Sequence, residues 1–319
     1  GLWCRLDGFQ TDDLASLLVN RRVARVMGLL RGTIHLVTAR DALSIRAMSA
    51  PVMQRIWRST SFAKALEGLE TDAVVAHGRH LLAERPQTAA ELGRRLQERW
   101  PDRDAQSLAY AVTFHVPLVQ PPPRGLWGRS GRAMPTLLED WLGAGPDPQP
   151  SVDELVIRYL RALGPAAPQD AATWSRFTAL REVFDRLRPR LRTFRDENGR
   201  VLFDVPDGPL PNPDTPAPVR FLPEYDNVVL SHHDRSRIID RRWPQATWMR
   251  GTILVDGFVR GTWRLDRERE VAVLSVAILD EIRPEQRDEV EHEADALLAF
   301  AASDAKEHRV REVGAGTTP

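Results

Sequence analysis

Apolar positions recur along this chain with a helical period up to about residue 190, and with a strand period after residue 219. Thr11-Asp12-Asp13 is an N-cap signal, and Leu14, Leu17 and Leu18 follow it on one helical face. Val23–Met27 and Gly32–Val37 read as two strands. Thr38 caps a helix to about Met48, Ser49-Ala50-Pro51 punctuates it, and a second helix carries Val52, Ile56 and Trp57. Thr71-Asp72 opens a helix through Val74, Val75, Leu81 and Leu82. Pro86-Gln87-Thr88 opens a short helix from Ala89 to Arg99, and a third runs from Ala105 towards Phe114. Val116–Gln120 and Gly125–Arg129 follow as a hairpin, and Thr136–Leu142 begins another helix, ended by Gly143. Three helices and a hairpin is the winged-helix order.

Gly143–Pro150 is a Gly/Pro-rich connector, after which the order repeats. Ser151-Val152-Asp153-Glu154 is a capping box leading through Leu155 to Leu163. A short helix spans Ala171–Phe177, Thr178 caps a third over Ala179–Leu187, and Asn198-Gly199 turns a hairpin between Leu191–Phe194 and Arg200–Val205. Pro206–Pro218 is a proline-rich linker. Beyond it Phe221–Pro223, Val228–Leu230, Gly251–Val255, Phe258–Leu265 and Glu270–Leu279 read as strands, with Asp256-Gly257 as a tight turn. A closing helix from Pro284 carries Val290, Ala294, Leu297, Leu298 and Phe300 on one face. The expected fold is α+β: tandem winged-helix domains, then a β-rich C-terminal region with a closing helix.

Composition narrows the class. The 319 residues allow two to three domains. No apolar run reaches the ~20 residues of a membrane span, no signal pattern opens the chain, and Cys4 is alone. A cytoplasmic protein, monomeric and without cofactor or metal, is expected. The net charge of zero is unevenly distributed. Residues 1–150 carry 19 basic and 15 acidic side chains, residues 151–205 carry 10 and 8, and residues 206–319 carry 15 and 21. Lys64 and Lys306 are the only lysines, so 42 of the 44 basic residues are arginine. Arginine suits phosphate recognition, and GC-rich codon usage gives the same bias.

Arg186, Arg188, Arg190, Arg192 and Arg195 form one segment without an acid, spanning the end of a third helix and a first wing strand. Strand alternation places Arg190 and Arg192 on one face. Arg124, Arg129 and Arg132 form a similar set on the preceding wing. Such positions meet DNA phosphates in winged helices, although a solvated charged face has the same composition. Asp226, Asp234 and Arg235 lie between two strands, as a salt-bridged turn or as a site lip. His77/His80 and His232/His233 have no Cys pair or HExxH pattern beside them, and GxSxG, P-loop and GxGxxG signatures are lacking.

Four stretches carry a family resemblance: Arg31-Gly32-Thr33-Ile34-His35-Leu36-Val37, Pro122-Pro123-Arg124-Gly125-Leu126-Trp127, Leu222-Pro223-Glu224-Tyr225-Asp226-Asn227, and Val255–Arg264. In this order, from Gly1 to about Phe300, the chain resembles the winged-helix DNA-binding proteins that include the crosslink-unhooking DNA glycosylases of the AlkZ/YcaQ type. The resemblance implies three tandem winged helices around a basic surface that binds double-stranded DNA. Residues 1–70 would be the C-terminal part of a first winged helix plus connecting helices, 71–150 the second, 151–206 the third, and 219–319 the β-rich domain. It places Arg31 and His35 in the first wing, with DNA contacts.

The family's Gln-apolar-Gln or Gln-apolar-Asp motif belongs before the segment matched by Gly1-Leu2-Trp3. Gln10 and Gln54 have neither its spacing nor its position. The expectation is therefore a DNA-repair protein resembling glycosylases of alkylated or crosslinked purines. By the resemblance the motif would fall upstream of Gly1, so this chain is expected to be inefficient by itself, and no catalytic residue is carried over. The alternative is a non-catalytic DNA-binding regulator.

Overall fold

The computed structural model describes residues 1–243, 247 and 249–314. Pro244, Gln245, Ala246, Trp248 and 315–319, within the expected 219–319 region, lie outside the described residues. Among those described, no helix is long and apolar enough to cross a membrane. The chain divides into two compact units. A helical unit holds Gln10–Arg158 and Ser175–Leu187. A β-rich unit holds Gly1–Phe9, Tyr159–Trp174 and the chain from Arg188 onward. The segment 151–206 thus contributes to both.

The helical unit begins with α1 (Thr11–Val19), the hairpin β1 (Val23–Val26) and β2 (His35–Thr38), and α2 (Ala39–Arg58). α2 runs unbroken through Pro51, against the expected punctuation. Its buried residues Ala42, Ile45, Val52, Met53 and Trp57 form one face across the proline. Burial of that face outweighs a penalty of about 3 kcal/mol for an interior proline. Then come α3 (Ser61–Ala65), α4 (Thr71–Glu84), α5 (Ala89–Gln97), α6 (Ala105–His115), β3 (Leu118–Val119), β4 (Thr136–Leu137) and α7 (Leu138–Leu142).

Thr88 and Glu91 make a reciprocal capping box on α5, and Asp104 accepts the Ser107 N–H at 2.7 Å to cap α6. Val74, Leu81, Leu92, Leu96, Leu108 and Val112 join Trp57 and Leu137 in the core around α4, α5 and α6. The hairpin partner of β3 is Thr136–Leu137, which the sequence assigned to a helix. Gly125–Arg129, expected as a strand, is a turn. The short strands join the first hairpin in one sheet of order β2-β1-β3-β4. Thr136 and Leu137 are both buried there, a pattern that alternation along an isolated strand does not signal.

α8 spans Val152–Leu163, α9 Pro168–Ser175 and α10 Leu180–Leu187, followed by the hairpin β5 (Arg192–Arg195) and β6 (Val201–Asp204). In the β-rich unit, β7 (Arg220–Leu222), β8 (Gly251–Val255), β9 (Phe258–Glu268), β10 (Val271–Ile278) and β11 (Glu307–Glu312) form a sheet of order β11-β10-β9-β8-β7. Val290, Ala294, Leu297 and Leu298 of α12 (Pro284–Ala301) pack with Phe221, Ile253, Leu274 and Val276 from the sheet. The N-terminal residues join this unit, with Trp3 stacked on Phe300 at 5.7 Å.

Two departures from sequence expectation occur here. Val228–Leu230 lies in a short helix, α11 (Asn227–Leu230), because the Asp226 carboxylate accepts the Val228 N–H and starts a turn. β11 was not anticipated. It is polar and exposed, and it pairs parallel to β10 along the sheet edge.

Candidate nucleic-acid interface

The segment expected as the first wing is the turn between β1 and β2. Arg31 sits in that turn with a left-handed backbone, φ 59°, and the strand starts only at His35. Arg31 Nη2 lies 3.3 Å from His35 Nε2, and His35 Nδ1 lies 3.3 Å from the Thr33 carbonyl. These contacts fit a neutral imidazole that donates through Nδ1 and accepts from Arg31. Burial, reinforced by the adjacent Arg31 cation, pushes the His35 pKa down to about 4.

On the other face of the hairpin, Arg25 donates from Nε to Gln120 Oε1 at 2.9 Å. Burial lowers the Arg25 pKa, and the nearby Arg124 cation lowers it further. Arg124 is half-buried and reaches the Gly131 carbonyl at 3.4 Å, while Arg129 and Arg132 are exposed. At the end of α10, Arg186 is held by Asp153, with Nε 3.0 Å from the carboxylate. Arg46 of α2 is almost fully buried and points its Nη2 at the last carbonyls of α6, Phe114 and His115, both at 3.4 Å. A cation there complements the helix C-terminus, and burial lowers its pKa to about 10.

In the β-rich unit, Arg188 lies over the Phe203 ring at 5.0 Å, and Arg190 is exposed. Arg190 belongs to a 3-10 turn, Arg188–Arg190, rather than to β5, so strand alternation does not pair it with Arg192. Arg192 donates to the Gly208 carbonyl at 2.6 Å and lies 3.9 Å from buried Asp204. Arg195 is exposed and bonds across its own turn to Gly199.

Asp226, Asp234 and Arg235 serve local structure. Asp226 is buried and accepts from Arg5 at 2.6 Å besides capping α11. Asp234 accepts from Ser236 N–H at 3.0 Å and pairs with Arg241 at 3.1 Å. These bonds, the Ser236 ones first, lower its pKa. Arg235 donates from Nε to the Val229 carbonyl at 3.1 Å. Among the described residues, no three His, Cys, Asp or Glu side chains converge as metal ligands would.

Sequence reasoning missed the polar core of this unit. Asp170, on the first turn of α9, is fully buried. Its oxygens accept the Ala167 N–H at 2.8 Å and the His233 N–H at 3.0 Å, and Arg200 lies 3.6 Å away. His232 is 5% exposed, with Nδ1 2.7 Å from Ser231 Oγ and Nε2 2.5 Å from Arg237 Nη1. The Tyr159 hydroxyl donates to the Ser231 carbonyl at 2.8 Å, and burial raises its pKa. Asp170 and His232 are 62 positions apart, so local motif reading had no signal for their proximity.

Burial, with Arg237 beside it, lowers the His232 pKa to about 4. The unfolded chain protonates this group near pH 6.5 and the folded chain only near pH 4. Between those values the unfolded state binds more protons, so stability falls as pH drops through the window. A loss of about 3 kcal/mol between pH 7 and pH 4 is expected from His232. Thermal unfolding across this range tests it, and an equal pH profile in His232→Gln would exclude the assignment.

A family model described as "DNA glycosylase AlkZ-like" matches residues 1–300, and the chain belongs to this AlkZ-like DNA glycosylase family. Its fold is similar to that of Streptomyces sahachiroi DNA glycosylase AlkZ, with a TM-score of 0.68 and 22% identity over 95% of this chain and 85% of that one. No curated protein matches the chain.

Proposed function

We propose that this chain binds duplex DNA through arginines on tandem winged helices and takes part in removing alkylated or crosslinked purines. Family membership over residues 1–300 carries the glycosylase reading. The order α4, α5, α6, β3, β4 and the arginines of the helical unit support the winged-helix reading. Arg25, Arg31, Arg124, Arg129 and Arg132 cluster on its two hairpin segments. In the β-rich unit Arg188 and Arg190 lie in the turn before the hairpin β5–β6, and Arg195 ends β5. Arg192 and Arg186 are weaker candidates, because Gly208 and Asp153 already engage them.

Excision of an N-linked base leaves positive charge on the sugar. A glycosylase stabilises that charge and positions water. No catalytic residue is assigned within residues 1–319.

A duplex carrying one N7-alkylguanine separates the elements of this reading. Affinity is expected to fall at least ~100-fold between about 50 and 200 mM salt, because phosphate contacts release counterions. Arg129→Glu with Arg132→Glu should weaken binding about tenfold or more, with stability changed by no more than about 0.5 kcal/mol. Abasic sites accumulating on the damaged strand and not on an undamaged control support excision. Binding without them leaves the non-catalytic reading, and no binding at low salt removes both.

A further inference from the structure

Arg31, Arg55 and Arg176 of the helical unit are neighbours in the fold, and two of them lie outside the arginine-rich segments of the sequence. The turn carrying Arg31 rests on α2. A Cβ on Gly32 would stand 2.7 Å from Ile56 Cδ1, so the turn lies directly against the residue following Arg55. Arg55 is exposed and donates from Nη2 to the Arg176 carbonyl at 2.6 Å. Arg176 is exposed in the turn between α9 and α10. Its cation lies close enough to Arg31 to disfavour the charge there, in addition to the effect of burial. Arg31 and Arg176 both hold left-handed backbones, φ 59° and 67°, which only glycine adopts without cost.

Two other arginines of the unit are engaged by acids, Arg158 by Asp41 and Arg79 by Glu139. By contrast, the bond from Arg55 goes to a carbonyl that belongs to another arginine. Gathering like charges on strained backbone costs stability, and an anion offsets that cost. His35 holds Arg31 at 3.3 Å through Nε2 as a neutral acceptor, so it orients the guanidinium without adding repulsion.

We propose that Arg31, Arg55 and Arg176 form one seat for a backbone phosphate of duplex DNA, with His35 as the positioning residue for Arg31. The proposal rests on the DNA-binding reading above and names a contact within it. Guanidinium groups bind a phosphodiester through charge-assisted hydrogen bonds, and three around one oxyanion fix its place along the strand.

The test is the salt dependence of binding to an undamaged 20-bp duplex. One phosphate counts once in the salt slope, however many guanidiniums surround it. The triple variant Arg31→Gln/Arg55→Gln/Arg176→Gly, which empties the seat, should therefore lower the magnitude of the slope by about 0.9. Affinity should fall about tenfold near 0.1 M salt. Arg176→Gly alone should weaken binding while raising Tm by about 2 °C, because glycine relieves the left-handed strain. A merely structural Arg176 would give a lower Tm instead. Arg79→Gln, which removes the same charge on α4, should leave the slope unchanged.

A slope unaltered in the triple variant overturns the seat. So does a loss near 1.8, which means two separate phosphate contacts, and so does an equal effect of Arg79→Gln. If the unaltered chain fails to bind duplex DNA at low salt, the DNA-binding reading itself falls.

Discussion

Asp170→Ala is expected to destabilise the β-rich unit by about 4 kcal/mol, the largest effect of any single polar substitution considered for this chain. Asp170 has no solvent exposure, and its two oxygens satisfy the Ala167 and His233 N–H groups while facing Arg200. Alanine leaves both N–H groups buried without partners, each costing about 1–3 kcal/mol. Arg200 keeps Asp196 at 3.1 Å, which limits the loss on that side. The neighbouring pair Tyr159 and His232 sits in the same polar core, so the loss extends beyond α9.

Asp170→Asn keeps one acceptor but turns an amide N–H₂ towards a donor, and an intermediate cost of about 2 kcal/mol follows. Asp196→Ala is the surface comparison and should cost less than about 1 kcal/mol. Hydrogen exchange read within residues 159–174 and 219–243 reports on this unit by itself and is the appropriate measurement. A loss below 1 kcal/mol for Asp170→Ala would falsify the view of this cluster as the unit's structural anchor.

Gly93→Ala should destabilise the helical unit by about 3 kcal/mol although it adds a single methyl group. A Cβ at Gly93 would stand 2.3 Å from the Ala105 carbonyl oxygen and 2.9 Å from its carbon. Both are backbone atoms at the start of α6, so no side chain can rotate away. α5 and α6 must part, and Leu92, Leu96 and Leu108 lose close contact with the core they share.

Gly78 gives the contrast. Its Cβ would meet Val112 Cγ2 at 2.2 Å, but that atom belongs to a side chain. Gly78→Ala should therefore be recovered in part by Val112→Ala, and no single truncation should recover Gly93→Ala. Chemical denaturation of the single and double variants measures the difference. Near-wild-type stability of Gly93→Ala would show that the two helices can separate at little cost.

The elements read most reliably from the sequence are those whose information is local. The start of α5 after Thr88, the Ser151 cap on the Glu154 N–H, the Asn198-Gly199 turn and the apolar face of α12 each lie within one or two turns of chain. Side-chain chemistry there acts on neighbouring backbone, so order along the chain is sufficient. The same holds for the family likeness, which runs in register from Gly1 to about Phe300.

Elsewhere distant partners settled the outcome. Thr136–Leu137 became a strand because β3 was there to pair with it, and Glu307–Glu312 because the edge of β10 was open. Pro51 stayed inside α2 because the buried face on both sides outweighed the missing hydrogen bond. The arginines show the same division. Composition marked the segment from Arg186 to Arg195, yet Asp153 and Gly208 engage two of its members. Arg55 and Arg176, 121 positions apart, meet through a hydrogen bond that neither local sequence announces. Asp170 and His233 likewise share a bond across 63 positions. A charge pattern in sequence counts side chains but does not say which are neutralised, because pairing depends on distances that only the folded backbone sets.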